Sequence, residues 1–429
     1  MIIMEIKRKI IKNGIDLIVI TDPKFKTDVV SVAFLSGEGI KASVCSSLIA
    51  GVLSRSCVKY PSLMELNKTL DLLYDAQLST EAVRRGFTHI PTFSIRSLNN
   101  RYSLDKTDIR GGCLDVLYSV INLPKTDGGK FDPKVLSSEK QQLTEAINAI
   151  KNNRSGYALR RCTSELMKNE SRYAPRLGDI NAVSAVTNGQ LYDFYTEMLQ
   201  KSPVHIISVS GDDDGRVYEF AEKLGQTLGD RAGGKINEPE YKKAPSRVVR
   251  VTEEFPVTQD VLCLACTYGG DVDDGNSAAR ALYGEILFQN PTSRMFTNVR
   301  EKLSLCYYCS GAPMRDLKKL VAYAGVDGKN AKKAEAEIKK QLKLIKEGVT
   351  DEEIERGRQA IKNDLLSVCD SPSRTMSWYA SRALYGYEET LDEFTKKLDL
   401  VTADDIMKVA SSVDVSLVYT LKGTAENEA

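Results

Sequence analysis

Apolar and polar positions along this chain switch between a strand-like and a helix-like period, and the whole succession is written twice. Val29-Val-Ser-Val-Ala-Phe-Leu-Ser-Gly37 is an apolar run closed by glycine, and Val261-Leu-Cys-Leu-Ala-Cys-Thr-Tyr-Gly269 repeats it. Short apolar runs bounded in this way predict buried strands. A stretch rich in Ala, Leu and Ser follows each, at about 43–54 and 276–288, and predicts a helix. The halves also close alike. Val186-Thr-Asn leads a helix into the strand Val204-His-Ile-Ile-Ser-Val-Ser-Gly211, and Val401-Thr-Ala-Asp-Asp leads one into Val415-Ser-Leu-Val-Tyr-Thr-Leu-Lys-Gly423. Such a repeat predicts an α+β fold of two homologous domains, each a mostly antiparallel sheet with helices packed on one face.

Other elements refine this division. Gly225–Arg247 carries Gly229, Gly233, Gly234, Pro239 and Pro245 among many charges, which predicts a solvated linker. The expected domains are therefore 1–224 and 248–429, joined by 225–247. Thr350-Asp-Glu-Glu353 is a capping box opening a helix that runs past Leu366. Before it, Ala331–Lys346 places Ala334, Ile338, Leu342 and Ile345 on one face, so its lysines read as a solvated helix surface.

Composition narrows the function. The chain has 429 residues, 42% of them hydrophobic, enough to bury more than one core. Its 59 basic and 58 acidic residues give a formal net charge of +1, which argues against a nucleic-acid or membrane-surface binder. No apolar run approaches the roughly 20 residues that cross a bilayer. Charges interrupt the apolar residues of Met1-Ile-Ile-Met-Glu-Ile-Lys-Arg-Lys, so no secretory signal is expected there. The nine cysteines, an odd number, read as reduced thiols in a cytoplasm.

Several chemical motifs come to little. Cys263-x-x-Cys266 and Cys306-x-x-Cys309 suggest zinc, but both pairs lie in runs read as strands, where residues three apart point to opposite faces. Gly229-Asp-Arg-Ala-Gly-Gly-Lys235 lacks the Ser/Thr of a phosphate loop. Asp212-Asp-Asp-Gly215 and Asp271-Val-Asp-Asp-Gly275 read as turns, not calcium loops. Only two histidines occur, His89 and His205, each in a predicted strand without a nucleophile motif beside it.

The most specific segment is Ser293-Arg-Met-Phe-Thr-Asn-Val-Arg-Glu-Lys-Leu-Ser-Leu-Cys-Tyr-Tyr308. It resembles the substrate-clamping segment S-R-L-F-x-x-[IL]-R-E-x-x-x-L-x-Y of insulinase/pitrilysin-like zinc peptidases. The resemblance extends over the duplicated domain, the Gly37 strand end and the helix leading to Tyr60-Pro61. It implies a helix in the first half carrying H-x-x-E-H. Here that helix reads Cys45-Ser-Ser-Leu-Ile-Ala-Gly-Val-Leu-Ser-Arg-Ser-Cys57. The two histidine positions fall at Ser47 and Gly51, the catalytic glutamate at Ala50, and the third ligand near Ala146, with Glu145 one residue away. Serine and glycine supply neither imidazole nor carboxylate, so no metal or other cofactor is expected.

Arg300 and Tyr307 keep the spacing of the family's clamp; the helix is expected to end near Leu303 and a strand to begin near Leu305, so that both side chains can face one chamber from adjoining elements. A guanidinium fork can hold a substrate carbonyl, and a phenol can donate to an oxyanion. Local composition alone favours a surface charge and a core aromatic; the whole-chain resemblance makes them a substrate-binding pair, with Tyr308 facing the other side of the strand. The resemblance implies a non-catalytic, peptide-binding subunit of a two-chain metallopeptidase, its zinc supplied by a homologous partner in a heterodimer. A scaffold, or a peptide-binding protein that kept the fold without proteolysis, is the alternative.

Overall fold

The computed structural model describes residues 4–236, 239, 244–268 and 277–424. The first half runs β1 (Glu5–Lys12), β2 (Ile15–Thr21), β3 (Thr27–Phe34), α1 (Gly39–Leu53), α2 (Leu63–Leu72), β4 (Gln77–Arg85), β5 (Thr88–Leu98) and α3 (Ile109–Asn122). A two-residue hairpin, β6 (Thr126–Asp127) and β7 (Lys130–Phe131), precedes α4 (Pro133–Ala149), α5 (Arg154–Leu166), α6 (Ile180–Ala185), α7 (Asn188–Lys201), β8 (Val204–Ser210) and α8 (Arg216–Leu228). The second half runs β9 (Val249–Phe255), β10 (Asp260–Tyr268), α9 (Ser277–Gly284), β11 (Tyr308–Met314) and β12 (Lys319–Val326). It closes with α10 (Ala331–Glu347), α11 (Asp351–Cys369), α12 (Pro372–Ala383), α13 (Leu391–Leu400), α14 (Ala403–Ser411) and β13 (Val413–Gly423).

The duplication is plain in the sheets. One has the order β1-β2-β8-β3-β5-β4 and the other, read from β9, the order β9-β13-β10-β12-β11. Each contains a single parallel pairing, β2 with β8 and β9 with β13, and is otherwise antiparallel. Thr187 with Gln190 and Thr402 with Asp405 form capping boxes at the helices that feed the matching strands β8 and β13. The mixed, mostly antiparallel α+β architecture expected from the repeat is what the chain adopts.

Two compact units result, but they do not follow the two halves of the sequence. The first gathers Met1–Asn148, Ser171–Asn237 and Ser367–Glu388; the second gathers Ala149–Glu170, Glu238–Leu366 and Glu389–Ala429. In the first unit, Val30, Val32, Phe34, Phe93 and Ile206 face Val44, Leu48, Val116, Leu117 and Leu224 of the helices in one apolar core. The opposite face of that sheet carries α12, with Tyr379 2% exposed, and Leu384 joins Leu35, Ile90 and Ile236. In the second unit the same place is taken by α5, whose Ala158 and Cys162 pack on Val261, Cys263, Ala265, Leu417 and Tyr419. Both sheets are thus covered on two faces, not on the one face expected, which is why β8 and β10 are buried along their whole length instead of alternating.

The stretch 225–236 differs from a solvated linker. Gly225–Leu228 finishes α8, the Arg231 guanidinium donates to the carbonyls of Ser202 and Leu228, and Ile236 is buried. The Gly229–Lys235 stretch therefore does structural work. Asp212 and Asp214 both accept from Arg110, which is 3% exposed and also pairs with Asp28. The Asp271–Gly275 run lies outside the described residues.

Candidate functional site

Arg300 and Tyr307 both line one cleft of the second unit, with a volume of about 460 Å3. Glu301, Ser304, Leu305, Cys306, Asp327 and Asn330 complete its wall. Arg300 lies on a π-helical stretch, Phe296–Lys302, a winding that is rare and occurs often at functional sites. Its guanidinium sits 4.7 Å from the Phe296 ring centroid and 3.7 Å from Glu301, and stays exposed to the cleft. Arg294 fixes the start of this stretch, donating in bidentate fashion to Glu353 and once to the Gly348 carbonyl.

The strand was expected to begin near Leu305. It begins at Tyr308, because Ser304 takes a left-handed φ of 49° and the Leu305 N–H turns back to the Val299 carbonyl. Tyr307 therefore sits in a bend before the strand and is 52% exposed. Its hydroxyl donates to Asp327 at 2.9 Å, and that bond to a carboxylate raises the phenol's pKa. Tyr308 is half-buried, with its ring over Gly325 and its hydroxyl accepting from Ser155 at 2.6 Å. Nothing in the sequence pattern singled out Asp327; only the fold brings it to Tyr307.

The positions matching the zinc motif are closed by their own contacts. Ser47 donates to the Ser43 carbonyl one turn back, and Ala50 is buried. At Gly51 the space a side chain would occupy is filled by the carboxylate of Glu139. Arg55, just beyond the end of α1, donates to that carboxylate at 2.6 Å and to Gln142. Glu145 does not point inward: it is exposed and accepts from Gln141, and Ala146 is exposed beside it. An arginine–glutamate pair thus occupies the place where a metal would need lone pairs, and these residues do not fit zinc. Among the described residues, no group of three or more His, Cys, Asp or Glu is placed to hold a metal ion.

The histidines are structural. Burial lowers the pKa of His89 to about 4, helped by Arg84, and burial also lowers that of His205. The cysteines give one correction. Cys263 and Cys266 lie within β10 as expected, but Cys306 precedes β11 while Cys309 lies within it.

Known proteins match the fold. A sequence signature described as Peptidase M16 inactive domain spans residues 185–361. The chain is 26% identical over 423 residues to the probable inactive metalloprotease YmfF of Bacillus subtilis (strain 168), covering 98% of each. The chain is thus similar to M16-type peptidase homologues. A conserved protein from Enterococcus faecalis V583 superposes with a TM-score of 0.88 at 23% identity, covering 99% of this chain and 100% of that one. A peptidase M16 inactive domain from Pseudomonas fluorescens superposes at 0.80 with 17% identity, again over 99% and 100%. At such identities the structural likeness establishes the fold. The missing ligands at Ser47 and Gly51 agree with the description of these similar proteins as inactive. Among the described residues, no helix is long and apolar enough to cross a membrane.

Proposed function

We propose that this chain is the substrate-binding, non-catalytic subunit of a two-chain metallopeptidase acting on peptides, working in a cytoplasm beside a homologous subunit that carries the zinc. One observation carries the reading: Arg300 and Tyr307 share an open cleft, while the metal positions are filled by Glu139 and Arg55. A chain that kept only its shape has no need of an exposed guanidinium and phenol on one wall. Arg300 would hold a peptide carbonyl, and Tyr307 would release Asp327 to donate to the oxyanion formed at the partner's site.

The test is co-expression with a zinc-bearing homologue, followed by size-exclusion chromatography and peptide turnover. The pair is expected to co-elute and to cut unstructured peptides. Tyr307→Phe should lower kcat of the pair by about 10²–10³ with pairing intact, since one oxyanion donor is lost. Arg300→Lys should weaken peptide binding because the planar fork is gone. Tyr308→Phe should leave turnover unchanged. An active pair indifferent to Tyr307→Phe and Arg300→Lys removes the clamp.

A scaffold without chemistry is the second reading, favoured by one contact: the Tyr307 hydroxyl is already given to Asp327. Asp327→Asn separates the two. A clamp whose phenol must be released should change its turnover, whereas a scaffold shows no turnover to change.

A further inference from the structure

The cleft that holds Arg300 and Tyr307 is charged unevenly. One guanidinium, Arg300, stands in its wall against two carboxylates, Glu301 and Asp327. Glu301 lies 3.7 Å from Arg300 and offsets it. Asp327 is the charge left over. It follows the last residue of β12 and precedes a short 3-10 turn, Gly328–Asn330, where an aspartate ordinarily caps free N–H groups with its side chain. Here the side chain makes no capping bond, and only the backbone carbonyl serves the turn, accepting from the Asn330 N–H at 2.8 Å. The carboxylate is turned to the cleft instead, where its Oδ1 accepts from the Tyr307 hydroxyl at 2.9 Å. Its Oδ2 carries no bond, and no lysine or arginine pairs with it, among the described residues.

Resting on the reading of this cleft as a peptide clamp, we propose that Asp327 is its specificity residue: it receives a lysine or arginine side chain of the bound peptide and thereby frees the Tyr307 hydroxyl. A phenol is a neutral donor, whereas a hydrogen bond in which both donor and acceptor are charged is shorter and roughly twice as strong. The cation meets the open Oδ2 first. A carboxylate neutralised in this way holds the phenol less firmly, and Tyr307, 52% exposed, turns away without disturbing a core. Asp327 is itself half-buried, so the ion pair is less screened than one on open surface. The cleft volume of about 460 Å3 leaves room for a side chain beside the main chain that Arg300 holds. A peptide without the cation leaves the hydroxyl bound to Asp327, so selection for a basic residue and release of the oxyanion donor become one event.

The experiment measures binding of unstructured peptides to the full-length chain by fluorescence anisotropy at low salt. The probes are N-acetylated peptides of one sequence in which a single lysine, or norleucine in its place, is moved along the chain. At one position lysine should lower Kd by at least about fivefold relative to norleucine. Asp327→Asn should abolish that preference while leaving the norleucine peptide's Kd unchanged. Asp327→Glu, which keeps the carboxylate, should retain it, as should Glu301→Gln, whose carboxylate serves Arg300. The proposal is overturned if the wild-type chain binds no peptide or binds lysine and norleucine peptides alike at every position. It is also overturned if the preference survives Asp327→Asn, or if Glu301→Gln erases it equally. The two readings fail separately. Where lysine brings no advantage but Arg300→Lys still weakens every peptide, the clamp stands and only the preference for a cation falls. Where Arg300→Lys changes nothing either, the clamp falls with it.

Discussion

At the scale of single residues, the Arg55–Glu139 pair beside Gly51 has asymmetric consequences. Glu139 is 8% exposed at its side chain and Arg55 30%. Removing the arginine leaves a carboxylate stranded in a place water barely reaches, whereas removing the glutamate leaves a guanidinium that can still be partly hydrated. Arg55→Ala is therefore expected to cost about 2–3 kcal/mol and Glu139→Ala about 1–2 kcal/mol. The double change to leucine should recover much of the loss, since neither charge is left unpaired. Denaturant midpoints of the three variants check this; an Arg55→Ala protein as stable as wild type would show the pair to be idle. The blank zinc positions were legible in the sequence, because serine, alanine and glycine cannot ligate a metal. What fills them was not, because Glu139 lies 88 residues from Gly51 and no local period connects them. Asp327 escaped for the same reason: its role exists only where β12 ends beside the bend before β11.

At the scale of elements, caps and periods were the readable part. The box at Thr350 and Glu353 closes as its spacing demands, and α10 buries Ala334, Ile338, Leu342 and Ile345 on the predicted face. Two further boxes, Thr390 with Glu393 and Thr402 with Asp405, open α13 and α14. In both, the N–H of the capping threonine, and then its hydroxyl, hold the carboxyl below its ordinary pKa. A carboxylate whose pKa is depressed on folding stabilises the folded state above its unfolded pKa of about 4, and that contribution is lost as pH falls through the depressed values. The thermal midpoint should thus drop between about pH 5 and pH 3. Glu393→Gln and Asp405→Asn should lower it at pH 7 and converge on wild type at pH 3. Parallel curves at both pH values would mean the caps are not charge-assisted. The strand start near Leu305 was misread for a local reason: an apolar run hides a left-handed serine, which only backbone geometry exposes.

At the scale of the whole molecule, the repeat announced two sheets but not which helices complete them. Nothing in the period of α5 or α12 says which sheet either will cover, because an amphipathic stripe fits any apolar face. In the structure, α12 is encoded after β12 yet covers the sheet built from β1–β5 and β8, while α5 is encoded before β8 yet covers the sheet of β9–β13. A cut at the expected linker therefore separates each sheet from one of its two layers. Residues 1–237 alone would bare Leu35, Ile90 and the α12-facing side of β8; residues 248–429 alone would bare Val261, Cys263, Leu417 and Tyr419. Exposed apolar faces of that kind drive association instead of cooperative folding. Each fragment expressed singly is expected to aggregate or to bind a hydrophobic dye without a sharp thermal transition, and the two expressed together should reassemble into one soluble species. If residues 1–237 alone give a monomer melting within a few degrees of the full chain, α12 contributes little to that sheet and the boundaries 1–224 and 248–429 describe self-sufficient domains after all.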